Sequence, residues 1–103
     1  MVIVETALFT KLIKSLMSDD EYRELQVALV VRPDLGDLIA GSGGLRKVRW
    51  SLPGQGKRGG VRIIYYWVVE DEHIRMLYAY PKGNQANLTQ KQLKQLKIIV
   101  QRW

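Results

Sequence analysis

The first apolar run, Met1 to Val4, is short and uninterrupted, and the pattern predicts a buried strand. After it, Leu8, Phe9, Leu12, Ile13 and Leu16 recur at spacings of about four with neighbours adjacent. That is one face of an amphipathic helix over residues 6–16. Ser18-Asp19-Asp20-Glu21 has the form of a capping box, the hydroxyl satisfying the Glu21 N–H while Glu21 reaches back. It opens a second helix whose apolar positions are Tyr22, Leu25, Leu29 and Val30. Pro33 ends it, because the residue before a proline is pushed out of the α region. A turn near Met17 makes the two helices a candidate antiparallel hairpin.

From Leu45 the period changes to two. Leu45, Lys47 and Arg49 alternate with Arg46, Val48 and Trp50, so Lys47 and Arg49 point the same way. Pro53 to Gly60 is a loop. Val61 to Val69 is rich in β-branched and aromatic residues and predicts a buried central strand. Glu70-Asp71-Glu72 is a tight polar turn, and Ile74 to Tyr80 is the next strand, antiparallel to the last because so short a turn allows only a hairpin. Pro81 to Asn87 is a loop, and Thr89-Gln90-Lys91-Gln92 is a second capping box with Gln in place of Glu. Leu93, Leu96, Val100 and Trp103 then repeat at helical spacing. The sum is β-α-α-β-β-β-α, an α+β fold with a small, mostly antiparallel sheet, two N-terminal helices and one C-terminal helix. With 103 residues and no visible linker or repeat, the expectation is one domain over residues 1–103.

Charge changes this picture. The net charge is +6, and between Asp37 and Glu70 no acidic residue occurs. That gap holds Arg46, Lys47, Arg49, Lys57, Arg58 and Arg62; the ten other basic residues balance the ten acidic ones. The excess is therefore one local patch. Basic stripes of this kind are the footprint of phosphate-backbone binding; the alternative is a solvated strand face with a basic loop. Seven of the nine glycines lie in the same stretch. They match neither a P-loop, since Lys57 is followed by Arg58, nor a dinucleotide fingerprint, and they read as turns.

The absence of Cys removes disulfides, thiolate metal sites and cysteine nucleophiles, and the single His73 removes a poly-His metal cage. No metal and no cofactor are expected. No stretch approaches the roughly 18 apolar residues of a membrane span, and the N-terminus lacks the pattern of a signal peptide. The default expectation is a cytoplasmic protein with no membrane partner.

Metal-free RNA cleavage suits such a patch. The 2′-OH attacks its own phosphate, given a base, cations on the phosphoryl oxygens and an acid for the leaving oxygen. Lys47, Arg49, Arg62 and Lys82 are the candidate cations, and Tyr80, at a strand end, a candidate for base stacking or proton exchange. Arg46, Lys57 and Arg58 are candidate nucleic-acid contacts. Tyr65, Tyr66 and Trp67 sit in an apolar run and read as packing; His73, after the acidic turn, reads as an exposed strand start.

Four segments carry a resemblance. D-D-E-Y-R-E-L-Q from Asp19, G-D-L-I-A-G-S-G-G-L-R-K-V-R-W from Gly36, G-K-R-G-G-V-R-I-I-Y-Y from Gly56, and Y-A-Y-P-K from Tyr78 with a following N-L-T resemble HigB-like toxins of the RelE superfamily. They occur in order along nearly the whole chain. The resemblance implies a type II toxin that enters the ribosomal A site and cleaves translated mRNA without a metal. It also implies a cognate antitoxin, often with a helix-turn-helix DNA-binding domain. By position, Lys47 and Arg49 match the family's basic strand, Arg62 the arginine opening the next strand, and Tyr80 with Lys82 the aromatic-x-Lys region. Pro81 departs from the small residue frequent in relatives, and neither the late His nor the late Tyr used by some branches is present. A non-catalytic nucleic-acid-binding module is the alternative reading of the same patch.

Overall fold

The computed structural model describes residues 1–51, 60–83, 85 and 87–103. Chain order is β1 (Val2–Glu5), α1 (Ala7–Leu16), α2 (Asp19–Val31), β2 (Asp37–Leu38), β3 (Leu45–Trp50), β4 (Val61–Val68), β5 (His73–Pro81) and α3 (Gln90–Arg102). The strands form one sheet in the order β1-β5-β4-β3-β2. β1 pairs with β5 in parallel; every other neighbouring pair is antiparallel. The α+β expectation therefore holds, with β4 in the centre.

The helix ends are set by side chains that satisfy otherwise orphaned backbone donors. Thr6 accepts from the Phe9 N–H at 2.9 Å and donates to the Leu77 carbonyl at 3.1 Å, which ties the start of α1 to β5. Ser18 and Glu21 form the reciprocal box at α2, and Thr89 and Gln92 the same box at α3. α2 ends at Val31, with Arg32 already non-helical ahead of Pro33.

Strand alternation sorts the core into two halves. Phe9, Ile13, Leu25 and Leu29 from α1 and α2 pack against Val48, Val61, Ile63, Tyr65, Ile74, Met76 and Ala79 on one sheet face. Leu96 of α3 packs with Leu45, Ile64, Leu77 and Tyr80 on the other. Each fully buried aliphatic or aromatic side chain contributes about 1.5–3 kcal/mol, so both faces stabilise the sheet. A register shift at Ile64/Tyr65 leaves Leu77 as an extra residue in β5, which keeps Tyr78 and Tyr80 on the α3 face.

Some single positions differ from the periodic reading. Leu8 and Val30 are exposed, each at the margin of its helix's apolar stripe. Trp103 is also exposed, its ring lying 5.1 Å from the Arg75 guanidinium carbon. His73 is half-buried, because β1 pairs alongside it through Val2. The two-residue β2 has no alternation to announce it. The expected loop at Pro53 to Gly60 lies outside the described residues apart from Gly60.

Candidate active site

The basic side chains come together through strand register. Arg49 on β3 is paired with Arg62 on β4, and Arg62 with Tyr80 on β5, so the three form one row across the sheet. The next row is Lys47, Ile64 and Tyr78. Because alternate residues share a face, both rows lie on the α3 side. Beyond the end of β5, the Lys82 N–H donates to the Gly60 carbonyl at 3.0 Å, which fastens the segment after β5 to the entry of β4. A cleft of about 210 Å³ opens here, lined by Arg49, Trp50, Ser51, Gly60, Arg62 and Lys82.

Two members of the first row are buried with unmet bonding capacity. Arg62 is only 5% exposed and Tyr80 3%. Arg62 Nε and the Tyr80 hydroxyl have no hydrogen-bond partner, and no carboxylate pairs with Arg49 or Arg62 among the described residues. A buried cation without an anion is costly, and buried polar groups left unbonded in a folded protein call for a specific explanation. Burial holds the Tyr80 phenol above its ordinary range, against the opposing pull of Arg62 and Arg49, so the phenol keeps its proton at neutral pH. Tyr78 lies beside it, ring centroids 5.7 Å apart.

Lys47 differs in being partly open and bonded: its Nζ donates to Asn87 Oδ1 at 2.8 Å. Burial lowers its pKa, with Arg49 and Arg62 adding to the effect and Asp37 on β2 opposing it. The arrangement thus offers guanidiniums for oxyanions, a phenol that retains its proton, and an amine that gives up its proton more readily than an ordinary lysine.

Of the candidates from sequence, Lys47, Arg49, Arg62, Tyr80 and Lys82 meet on this face or at its rim. Arg46 does not. It lies on the opposite side of β3 and donates to the Gly36 carbonyl at 2.8 Å, holding the stretch before β2. Lys57 and Arg58 lie outside the described residues. Tyr65 is wholly buried, and Tyr66 and Trp67 pack against the two core halves, as the apolar run implied. Asn87, the first residue of the N-L-T stretch, has no signal in the sequence for this contact; its polar loop carries no periodicity that would connect it with a strand 40 residues earlier.

Among the described residues no group of three or more His, Cys, Asp or Glu is placed to hold a metal ion, and no helix is long and apolar enough to cross a membrane. The family model described as the RelE toxin of the RelE / RelB toxin-antitoxin system matches residues 1–103. Such a toxin has a cognate RelB-type antitoxin as its partner. On that full-length match, set beside the α+β fold, the chain belongs to the RelE toxin family.

Proposed function

We propose that this toxin is an endoribonuclease that cuts mRNA on the ribosome and so inhibits translation, without a metal ion in the chemical step. The observation that carries the reading is the row Arg49–Arg62–Tyr80, in which Arg62 Nε and the Tyr80 hydroxyl are buried and unbonded, with Arg49 and Arg62 lining a cleft together with Lys82. A phosphate entering the cleft takes up that unmet capacity. Arg supplies a fixed fork to its oxygens, and donors already in place need no reorganisation as charge develops.

In the proposed reaction the ribose 2′-oxygen bonds to the adjacent phosphorus while its proton passes to the neutral amine of Lys47. The bond from phosphorus to the 5′-oxygen breaks, and Tyr80 gives that oxygen a proton. The products are a 2′,3′-cyclic phosphate and a 5′-hydroxyl end. Arg49 and Arg62 offset the charge on the phosphoryl oxygens. The site presents cations where a two-metal mechanism would place carboxylates.

The test is to add the purified chain to ribosomes carrying a defined mRNA and to map the RNA ends. Cuts at ribosome-bound positions with 5′-hydroxyl ends are expected, and their persistence on a preassembled, polyamine-stabilised ribosome–mRNA complex in chelator is expected of metal-free chemistry. RNA bound but left intact would make the basic face a binding surface only. Cleavage that stops on chelation and returns with manganese or zinc would overturn the metal-free step.

A further inference from the structure

Lys47 needs an explanation of its own. It shares its face with Arg49 on β3 and Arg62 on β4, both of which repel its charged form. Asp37 on β2 is its register partner and the acidic group that acts on it, but the two form no ion pair. β5 contributes the phenols Tyr78 and Tyr80 to this face, and the segment after it contributes Lys82 to the cleft. α3 carries Lys91, Lys94, Lys97 and Arg102 and no carboxylate. A long, flexible ammonium in such a field is not held in place by its neighbours. The hydrogen bond that locates it comes from a neutral amide, Asn87 Oδ1 at 2.8 Å.

Asn87 is itself anchored. Its carbonyl accepts from Gln85 Nε2 at 2.7 Å, and the same amide reaches Gln92 Oε1 at 2.9 Å. Gln92 is the capping-box residue of α3, accepting from the Thr89 N–H at 3.0 Å. Its Nε2 also approaches the Tyr78 hydroxyl at 3.4 Å. The start of α3 thus serves as the mount for Asn87, and Asn87 as the mount for Lys47.

We propose that Asn87 is a positioning residue for RNA cleavage, aiming Lys47 Nζ at the Arg49–Arg62–Tyr80 row through an uncharged acceptor. The proposal rests on the endonuclease reading above. An amide suits the task for a chemical reason. It accepts one N–H and leaves the lone pair of the neutral amine free, whereas a carboxylate in the same place would hold Lys47 protonated.

The test compares the full-length parent with Asn87→Ala and Asn87→Asp. Asn87 is exposed, so neither change threatens the core. Single-turnover cleavage at saturating ribosome is followed against pH, and the Lys47 amine is titrated directly by NMR. Asn87→Ala is expected to cut about 10–100-fold more slowly with unchanged half-saturation, the cost of a misaimed group. Asn87→Asp is expected to keep the contact but to move both the Lys47 titration and the rising limb of the rate profile up by about one pH unit or more. An Asn87→Ala chain cutting at the parent rate overturns the role. So does an Asn87→Asp chain whose Lys47 titration rises while its rate profile stays in place, since a merely structural contact would shift that midpoint without carrying the rate with it. A parent that cuts no RNA overturns the endonuclease reading itself, an outcome visible before either variant is compared.

Discussion

Arg62 on β4 lies directly opposite Arg49 on β3, a like-charge pair in the middle of a folded sheet with no carboxylate partner among the described residues. Directly opposed like charges destabilise a sheet by up to about 1 kcal/mol. Arg62→Met fills a similar volume without the charge. We predict that thermal unfolding of Arg62→Met is unchanged or raised, by up to ~1 kcal/mol. Cleavage is expected to fall by ~10²–10³, the usual loss for one electrostatic contact to the reacting group. A folded variant that cuts at the parent rate removes Arg62 from the site.

Tyr80 supports a second prediction with the same pairing of opposite effects. Its hydroxyl is buried and unbonded, and such a group costs about 1–3 kcal/mol relative to a satisfied one. Tyr80→Phe deletes only that oxygen. Stability is expected to rise by about 1 kcal/mol, while loss of a general acid lowers the rate by ~10²–10⁴. Because burial raises the phenol's pKa, the parent should keep its acid at alkaline pH beyond the ordinary tyrosine range. Unchanged cleavage by Tyr80→Phe would reassign the proton donor, with Lys82 at the cleft rim the next residue to test.

The elements were legible because their signals are local. Both capping boxes, the stop before Pro33, the alternation of β3 and the hairpin at Glu70–Glu72 each depend on a few adjacent residues. So does the placement of Lys47 and Arg49 on one face. What was not legible depends on pairing between distant strands. The parallel match of Val2 with His73 has no local trace. The extra residue at Leu77, which keeps Tyr80 level with Arg62, is a matter of register. The basic patch was visible as composition and the alternation set Arg46 apart from Lys47 and Arg49, but the part Arg46 plays was not: it holds the Gly36 carbonyl. Asn87 reaches Lys47 only because α3 begins where it does.

Lys57 and Arg58 lie outside the described residues, and the prediction for them comes from charge alone. Two cations among glycines add binding and not chemistry on the proposed reading. Each single-stranded phosphate contact contributes roughly 0.7 to the log–log salt slope of binding. Replacing both with Ala is expected to weaken ribosome association and to flatten its salt dependence by up to about 1.4. Cleavage at saturating ribosome should change far less than in Arg62→Met. The reverse order of effects would move Lys57 or Arg58 into contact with the reacting phosphate.

Gly36 links stability to the site. A Cβ there would lie 2.9 Å from Tyr65 Cε1 and 3.0 Å from both the carbonyl carbon and the carbonyl oxygen of Lys47. Neither neighbour yields easily. Tyr65 is fully buried, its hydroxyl accepting from the Gly36 N–H at 2.8 Å and donating to the Pro33 carbonyl at 2.7 Å. The Lys47 carbonyl belongs to the backbone of β3, which is paired on both sides. Gly36→Ala is therefore expected to destabilise the fold by about 1–3 kcal/mol, the usual cost of overpacking, and to push on the strand that carries Lys47. Tyr65→Phe is the matched control. It leaves Gly36 N–H and the Pro33 carbonyl without their partner, at about 1–3 kcal/mol, but puts no atom against β3. At a temperature where both variants are folded by circular dichroism, Gly36→Ala should cut more slowly than Tyr65→Phe. Equal rates would show that β3 absorbs the added methyl without moving Lys47.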